Sequence, residues 1–313
     1  ERGEPRAGHD RPVRDAEATD SGETWIVWGN SLGRMGSDPC ELASAFSAGV
    51  ALDALAVASS TDIWVASASA ALHFDGVSFA APVTLPSSAA HVTDARLDSS
   101  GHLWLLREGA SSLIEVANQV ATAVPGPGAS PIESIFINSG DTVWLISGGS
   151  LWERSGTTWL EHAPPVPFDF GPAPGPSLLA FGPSGNAWIS GRTATSEATP
   201  VVYRFEPLLD GWSEVAIPFQ FPSNCLDDSH AGVGLSADGK LLVGISYGCE
   251  GPGAFAEGVI VSGGVEIFIE DGIAFRSLGS ISYSTVGDVP WRLFGTAPVF
   301  NWRSDGEAIS RQQ

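Results

Sequence analysis

Short apolar segments bounded by Gly, Asp, Asn and Ser recur along most of the chain. The segment Ala54–Val57 contains only small and aliphatic residues, a composition typical of strands buried on both faces. Turn dipeptides such as Asp75-Gly76 and Ser155-Gly156 separate segments in which apolar and polar positions alternate, as hairpin turns do. The pattern therefore predicts an all-β protein built from short antiparallel strands.

One tryptophan-containing sequence motif repeats about every 40 residues. A turn of Asp, Asn, Ser and Gly residues precedes a tryptophan that opens an apolar run. The five clear copies contain Trp25, Trp64, Trp104, Trp144 and Trp188, and two degenerate copies surround Leu242 and Trp291. A period of this length indicates stacked supersecondary units, none of which buries its apolar face alone.

Each repeat is predicted to contain four strands, which is the content of one propeller blade. We place the strands of the third repeat at 92–97, 102–107, 112–116 and 119–124. Those of the fourth repeat lie at 132–137, 142–147, 150–154 and 158–161. The predicted fold is an all-β propeller with seven four-stranded blades, and the irregular later repeats leave six or eight blades open.

The tryptophans are assigned to the core rather than to a ligand-stacking role, because each opens a strand expected to be buried. The fourth strands begin with a further aromatic residue, such as Phe79, Trp159 or Trp212. We expect these outer aromatic side chains to pack against the neighbouring blade.

The first 18 residues differ from the repeats in composition. Arginines alternate there with acidic residues, and almost nothing apolar is present for burial. We expect such an arm to be disordered in isolation and, when ordered, to lie on the propeller rim or on a neighbouring copy. The chain is therefore divided into a charged arm, residues 1–18, and a propeller, residues 19–313. Because the arm is too charged for an ordinary inner strand, closure of the first blade uses either the arm or the strand Glu307–Arg311.

The chain carries 36 acidic and 15 basic residues, a formal net charge of −21. Such a surface repels phosphate, so nucleic acid is excluded as a partner and anionic membranes are disfavoured. The acidity suits a basic partner, Ca²⁺ or solubility alone. No apolar run reaches the length of a membrane helix. A start at Glu1, a single lysine and abundant Ser, Thr and Gly favour a secreted, periplasmic or cell-surface protein.

Three cysteines are present, namely Cys40, Cys225 and Cys249. Cys225 and Cys249 bracket the inner strands of the sixth repeat, so they fall in loops on one face of a propeller and form a candidate disulfide. Cys40 is left as the odd thiol. No Cys or His pair has the spacing of a zinc site.

Two repeat lines resemble known blade signatures. Residues 181–191 are similar to blades of bacterial streptogramin-lyase-like and two-component-regulator sensor propellers, and residues 151–159 resemble tectonin-type lectin blades. The resemblance covers nearly the whole repeat region and implies the propeller fold, which hosts many functions. Lyases of that family use histidine and glutamate with a divalent metal on the central face. His230 and Glu250 are the residues that the resemblance brings nearest to such positions, and no second histidine occupies a matching place.

Propeller ligands are expected over the loops that join strand four to strand one and strand two to strand three. The longest of these loops lie in the last three repeats. The densest set of titratable residues in these loops forms our candidate ligand-binding set: Asp227, Asp228, His230, Glu250 and Glu257. Converging carboxylates suit Ca²⁺ or a basic partner, whereas the alternative is a set of solvated loop side chains. No calcium-loop motif, nucleophile elbow or other catalytic motif is present, so no catalytic residue is assigned.

These observations favour a non-enzymatic extracellular module that binds or assembles, with another protein, a second copy of itself or a glycan as its partner. The alternative is a metal-assisted lyase or glycosidase that uses the loops of repeats five to seven. A sensor domain of a longer receptor is a third hypothesis.

Overall fold

A computed structural model describes residues 13–19, 23–36, 42–165, 168–169, 179–182, 185–193, 200–218, 230–235, 240–250, 260–271, 274–283, 291–294, 300–303 and 310–311. From residue 246 onwards it is the strand backbone that is described. Every regular element in these ranges is a β-strand, which confirms the predicted fold class. The described ranges contain no helix that is long and apolar enough to cross a bilayer.

Consecutive strands form antiparallel sheets in chain order. The first sheet contains β1 (Val13–Ala18), β2 (Thr24–Trp28), β3 (Ser31–Met35) and β4 (Leu42–Ser47). The second contains β5 (Ala54–Ser59), β6 (Asp62–Ala66), β7 (Ala70–Phe74) and β8 (Val83–Thr84). The third contains β9 (Val92–Leu97), β10 (Leu103–Arg107), β11 (Ser112–Ala117) and β12 (Val120–Pro125). The fourth contains β13 (Ile132–Ile137), β14 (Val143–Ser147), β15 (Ser150–Ser155) and β16 (Thr158–His162).

The later sheets follow the same plan. In the fifth, β17 (Phe168–Asp169) and β18 (Leu179–Phe181) both pair with β19 (Ala187–Thr193), which continues to β20 (Pro200–Glu206) and β21 (Gly211–Glu214). The sixth contains β22 (His230–Leu235), β23 (Leu241–Glu250), β24 (Ile260–Asp271) and β25 (Ala274–Tyr283). The last contains β26 (Trp291–Phe294), β27 (Phe300–Arg303) and β28 (Ser310–Arg311).

The sheets are arranged as a closed ring. The innermost strand of each sheet contacts that of the next, in the order β1, β5, β9, β13, β18, β22, β26 and back to β1. The fold is therefore a β-propeller, and its described sheets correspond one to one to the seven repeats counted in the sequence. In the third and fourth sheets every strand boundary lies within one residue of the predicted one.

The repeated tryptophans hold neighbouring sheets together. The five tryptophans of the clear copies are 2% to 8% exposed, which confirms their assignment to the core. Trp104 packs with Ile132 and Ile135 of the fourth sheet, and the Trp144 ring lies 5.0 Å from that of Phe181 in the fifth. Each such tryptophan therefore fills the space between its own sheet and the following one.

Two of the outer aromatic residues pack as expected. Trp159 contacts the third sheet, where its indole N–H donates to the carbonyl of Pro125 at 2.9 Å. Trp212 lies 4.8 Å from Phe205 and joins the cluster that contains Trp144 of the fourth sheet. The outer strands are thus anchored to their neighbours by the first large side chain after each hairpin turn.

The turn before each tryptophan is stabilised by its own side chains. The Asp98 carboxylate accepts hydrogen bonds from the backbone N–H groups of Ser100 and His102 and, at 3.4 Å, from the indole of Trp104. Asn138 accepts from the N–H groups of Gly140 and Thr142 at the same place in the next repeat. Such Asx turns are local, which explains why the sequence alone locates them.

The first sheet takes its inner strand from the charged arm, which is one of the two closures predicted for this blade. Residues 13–18, which we placed in a separate arm, form β1 and pair with β2 from Val13 to Ala18. Asp15 and Ala16 are 7% and 3% exposed, so this strand is buried despite its charges. The boundary drawn at residue 18 therefore does not separate β1 from the propeller.

Candidate functional site

The ligand-binding residues predicted from the sequence lie mostly outside the described residues. Asp227, Asp228 and Glu257 lie outside the described residues, and so do the cysteines Cys40 and Cys225. His230 begins β22, and Cys249 and Glu250 end β23, where the backbone is described. The disulfide and the acidic loop cluster therefore stay predictions.

In the backbone of the sixth sheet, His230 is paired with Ser246, and Glu250 lies four residues further along β23. At about 3.3 Å per residue this offset is about 13 Å along the strand. A metal site that uses these two residues stays a prediction.

A backbone irregularity recurs where the inner strands enter the sheets. Register shifts in β1, β9 and β13 skip Arg14, Thr93 and Glu133, respectively, in the pairing with the next strand. Asp53 occupies the equivalent place just before β5. Each of these four residues lies eleven positions before the tryptophan of its repeat. Bulges re-aim side chains and are common beside functional sites.

We call Arg14, Asp53, Thr93 and Glu133 the entrance residues. They lie at the starts of inner strands, on the propeller face that carries the loops between strands four and one and between strands two and three. This is the face on which a ligand was expected, although the residues themselves were missed. They could have been found by counting eleven residues back from the tryptophan of each repeat, because that tryptophan is constant in the clear copies.

The carboxylates of two entrance residues are partly occupied. Asp53 lies 3.0 Å from the imidazole Nδ1 of His91 and accepts from the N–H of Val92 at 3.4 Å. Glu133 accepts at Oε1 from the N–H of Gly148 at 3.3 Å. Its buried Oε2 makes no hydrogen bond to the described part of the chain. Burial raises the pKa of Glu133, and the Gly148 bond offsets part of that rise.

Next to the entrance residues, charged side chains line the inner strands of the first and third sheets. Asp15 and Glu17 are paired with Val27 and Trp25, and Asp94 and Arg96 with Leu106 and Trp104, so these positions are equivalent in their repeats. We call Asp15, Glu17, Asp94 and Arg96 the inner-strand cluster. The second sheet has Ala54 and Ala56 at the same two positions.

The acidic residues of β1 bond to the neighbouring sheet. The Asp15 carboxylate accepts from the N–H of Leu55 at 3.0 Å, and that of Glu17 accepts from the N–H of Val57 at 2.7 Å. Because β5 is the inner edge strand of its sheet, alternate N–H groups lack a strand partner and need another acceptor. The two carboxylates supply it, which explains how a charged strand is buried here.

The inner-strand cluster is electrostatically coupled. Burial raises the pKa of Glu17 from an ordinary 4.5 to about 8, although Arg96 lowers it. Burial lowers the pKa of Arg96, but the carboxylates of Asp94, Glu17 and Asp15 outweigh that effect and the net shift is upward. Arg96 contacts Asp94 at 3.1 Å. Burial therefore shifts Glu17 toward its protonated form, and Arg96 is paired with Asp94.

Arg107 fixes loops on the entrance face. Its guanidinium donates to the carbonyls of Ala68 and Pro86, both at 2.7 Å, and so ties the third sheet to two loops of the second. The residue is 8% exposed, and burial lowers its pKa. Its role is to hold the entrance face rigid. Within the described ranges no group of three or more His, Cys, Asp or Glu side chains is arranged to hold a metal ion.

No family model matches this sequence, and no curated protein matches it. Among solved structures, the chain is similar to a catalytically inactive variant of virginiamycin B lyase from Staphylococcus aureus with quinupristin. The identity is 13%, the coverage 98% of this chain and 96% of that one, and the TM-score 0.66.

Two other similar structures have different roles. One is the extracellular domain of the BT4673 one-component system from B. thetaiotaomicron, with 13% identity over 98% of this chain, 39% of that chain and a TM-score of 0.63. The other is YCF48 bound to D1 peptide, with 12% identity over 95% of this chain, 92% of that chain and a TM-score of 0.59. At these identities the likeness shows the propeller fold and leaves function open.

Proposed function

We propose that the protein is a non-enzymatic binding module that takes a basic segment of a partner protein at the entrance residues. The observation that carries this proposal is the variation at one repeated position. Four structurally equivalent places hold Arg14, Asp53, Thr93 and Glu133, while the tryptophan eleven residues later stays constant. In a repeat protein, a fixed scaffold with different polar side chains at one repeated position of the entrance face is suited to recognition.

The charged side chains behind this edge support a binding role. Asp15 and Glu17 hold neighbouring sheets together, and Arg96 is engaged by Asp94. These side chains stabilise the contacts between sheets. They are not arranged as an acid and a base on either side of an open position for a reacting group. The net charge of −21 favours a basic partner, because the field of the whole protein attracts cations.

The similar structures agree with this proposal without deciding it. YCF48 is seen with a bound peptide, and the BT4673 structure is an extracellular domain of a regulator. A secreted or cell-surface location and a protein ligand would both suit the present chain. A glycan ligand and self-association belong to the same class of proposal and serve as outcomes to be separated by experiment.

The test uses fluorescein-labelled hexalysine as a defined cationic probe, with binding followed by fluorescence anisotropy. The double variant Asp53→Asn/Glu133→Gln removes two charges from the entrance face. The control Glu161→Gln/Glu214→Gln removes two charges from exposed outer strands. We expect the entrance variant to weaken binding about tenfold and the control less than about twofold. Equal weakening by both variants would mean that only the overall charge attracts the probe, which contradicts an entrance site.

An acid–base enzyme is the second candidate, and one observation favours it. Glu133 combines a raised pKa with a buried carboxylate oxygen that has no partner in the described structure, as general acids often do. Incubation with quinupristin, with and without Mg²⁺, followed by chromatography tests the lyase version. Conversion that is lost in Glu133→Gln would replace the binding proposal with an enzymatic one.

A further inference from the structure

Two leucines at the outer hairpin of the fifth sheet are exposed to solvent. Leu208 is 97% and Leu209 is 74% exposed, in the turn between β20 and β21. Turns of this kind favour Gly, Asn, Asp, Ser and Pro, so the geometry of the turn does not require leucine. A third exposed leucine, Leu160 at 53%, lies on β16 of the neighbouring sheet. We call these three residues the leucine surface.

The turn that carries two of these leucines is anchored. Within it, the N–H of Leu209 donates to Glu206 and that of Asp210 donates to Pro207. The Asp210 carboxylate then lies 3.0 Å from the imidazole Nδ1 of His162, across the seam between the fourth and fifth sheets. Asp210 adopts a left-handed backbone conformation with φ of 46°, which few residues other than glycine accept.

The anchoring histidine is itself fixed. His162 is 8% exposed, and its Nε2 lies 3.2 Å from the carboxylate of Glu153. Its ring packs against Trp144 and Phe205, with centroid separations of 5.4 and 4.6 Å. Leu160 and His162 lie two residues apart on the same face of β16. The leucine surface is therefore presented by a rigid seam, so little ordering would be needed on binding.

We propose that the leucine surface is a docking site for a short segment of a partner protein that combines apolar side chains with lysine or arginine. Apolar anchors would pack on the three leucines. Glu153 is paired with Leu160 across β15 and β16, and Glu206 and Asp210 flank the two turn leucines in the sequence. Glu206 contacts Arg204 at 3.4 Å, and the Asp210 side chain is 78% exposed. A second copy of this chain is disfavoured as the occupant, because two surfaces of a protein with a net charge of −21 repel each other.

The primary test is a selection of random dodecapeptides displayed on phage against the full chain, followed by anisotropy measurements with the enriched peptides. The variant Leu208→Ser/Leu209→Ser removes the two most exposed of the three leucines. The control Val77→Ser/Val120→Ser makes the same kind of change at valines that are 80% and 60% exposed on other sheets. Because all four positions are exposed, both variants should fold, which circular dichroism checks.

We expect enriched peptides that contain apolar residues next to Lys or Arg and that bind the leucine variant at least about tenfold more weakly, with the control unchanged. If no enriched peptide depends on the two leucines, or if the dependent peptides are acidic, the proposal is overturned. A concentration-dependent dimer in light scattering, or binding to phosphatidylglycerol vesicles, that is lost in the leucine variant would also overturn it. Those results would assign the surface to a second copy or to a membrane.

A second variant tests the anchoring of the turn. Asp210→Ala cuts the bond to His162 and keeps both leucines. We expect about threefold weaker peptide binding, because the loosened turn must be ordered again on docking. Unchanged affinity would contradict the role of the seam. The entrance variant Asp53→Asn/Glu133→Gln should bind these peptides normally, so failure here and failure of the proposed function give different results.

Discussion

The inner strands of the first and second sheets occupy equivalent places with opposite chemistry. In β5, Ala54 and Ala56 are buried and 0% to 1% exposed, as expected for a strand covered on both faces. In β1, Asp15 and Glu17 stand at the same two positions and are buried or half-buried as well. The difference teaches that an inner propeller strand tolerates acidic side chains when they accept hydrogen bonds from N–H groups of the next sheet. Burial here depends on hydrogen-bond partners rather than on polarity alone.

The largest expected effect comes from making the second sheet resemble the first. In Ala56→Asp a carboxylate would lie in the apolar cluster that contains Trp64, Leu103 and Leu105. An unpaired buried charge costs several kcal/mol, so we expect loss of about 4 kcal/mol or failure to fold. Urea unfolding measures it, with Ala58→Asp at an exposed position of the same strand as control. A stability close to wild type would mean that the inner strand of the third sheet supplies N–H donors, as that of the second sheet does for Asp15 and Glu17.

The converse change in the first sheet should cost less. Asp15→Ala leaves the N–H of Leu55 without its acceptor, which we expect to reduce the free energy of unfolding by about 2 kcal/mol. Glu23→Gln is the matched control, because its ion pair with Arg34 lies on exposed side chains and contributes less than about 1 kcal/mol. If the two variants lose equal stability in urea unfolding, the buried carboxylate has no special role.

The third effect depends on pH. The pKa of Glu17 is about 8 in the folded protein and about 4.5 when it is exposed. Between pH 4.5 and 8 the unfolded chain loses this proton while the folded protein keeps it. This group therefore lowers the free energy of unfolding as pH rises through that window, and the effect levels off above pH 8. Glu17→Gln keeps an acceptor for Val57 and removes the titration.

Unfolding in urea at pH 5, 7 and 9 checks this expectation. Wild type should lose more stability between pH 5 and pH 9 than Glu17→Gln, by up to a few kcal/mol. The other carboxylates are common to both proteins and cancel in the comparison. Parallel pH profiles would mean that Glu17 is ionised in the folded state at neutral pH, and the inner-strand cluster would then carry one more negative charge.

The third and fourth sheets show how far the sequence reaches. Their strands, turns and buried tryptophans follow from segments of fewer than ten residues, such as the Asx turn at Asp98 that positions Trp104. The sequence did not predict the entrance residues Thr93 and Glu133, because a bulge is defined by the pairing of two strands. The predicted loop residues of the sixth repeat, including Asp227 and His230, stay predictions.

The sequence by itself determined the propeller fold, the four-stranded unit and the assignment of the tryptophans to the core, because local turns and apolar periodicity specify them. The tertiary structure decided that residues 13–18 form an inner strand, since the N–H groups that donate to Asp15 and Glu17 belong to another sheet. It also decided that Leu208 and Leu209 are held by a turn anchored to His162. In both cases the partners lie about 40 residues or more apart, and no local pattern records such contacts.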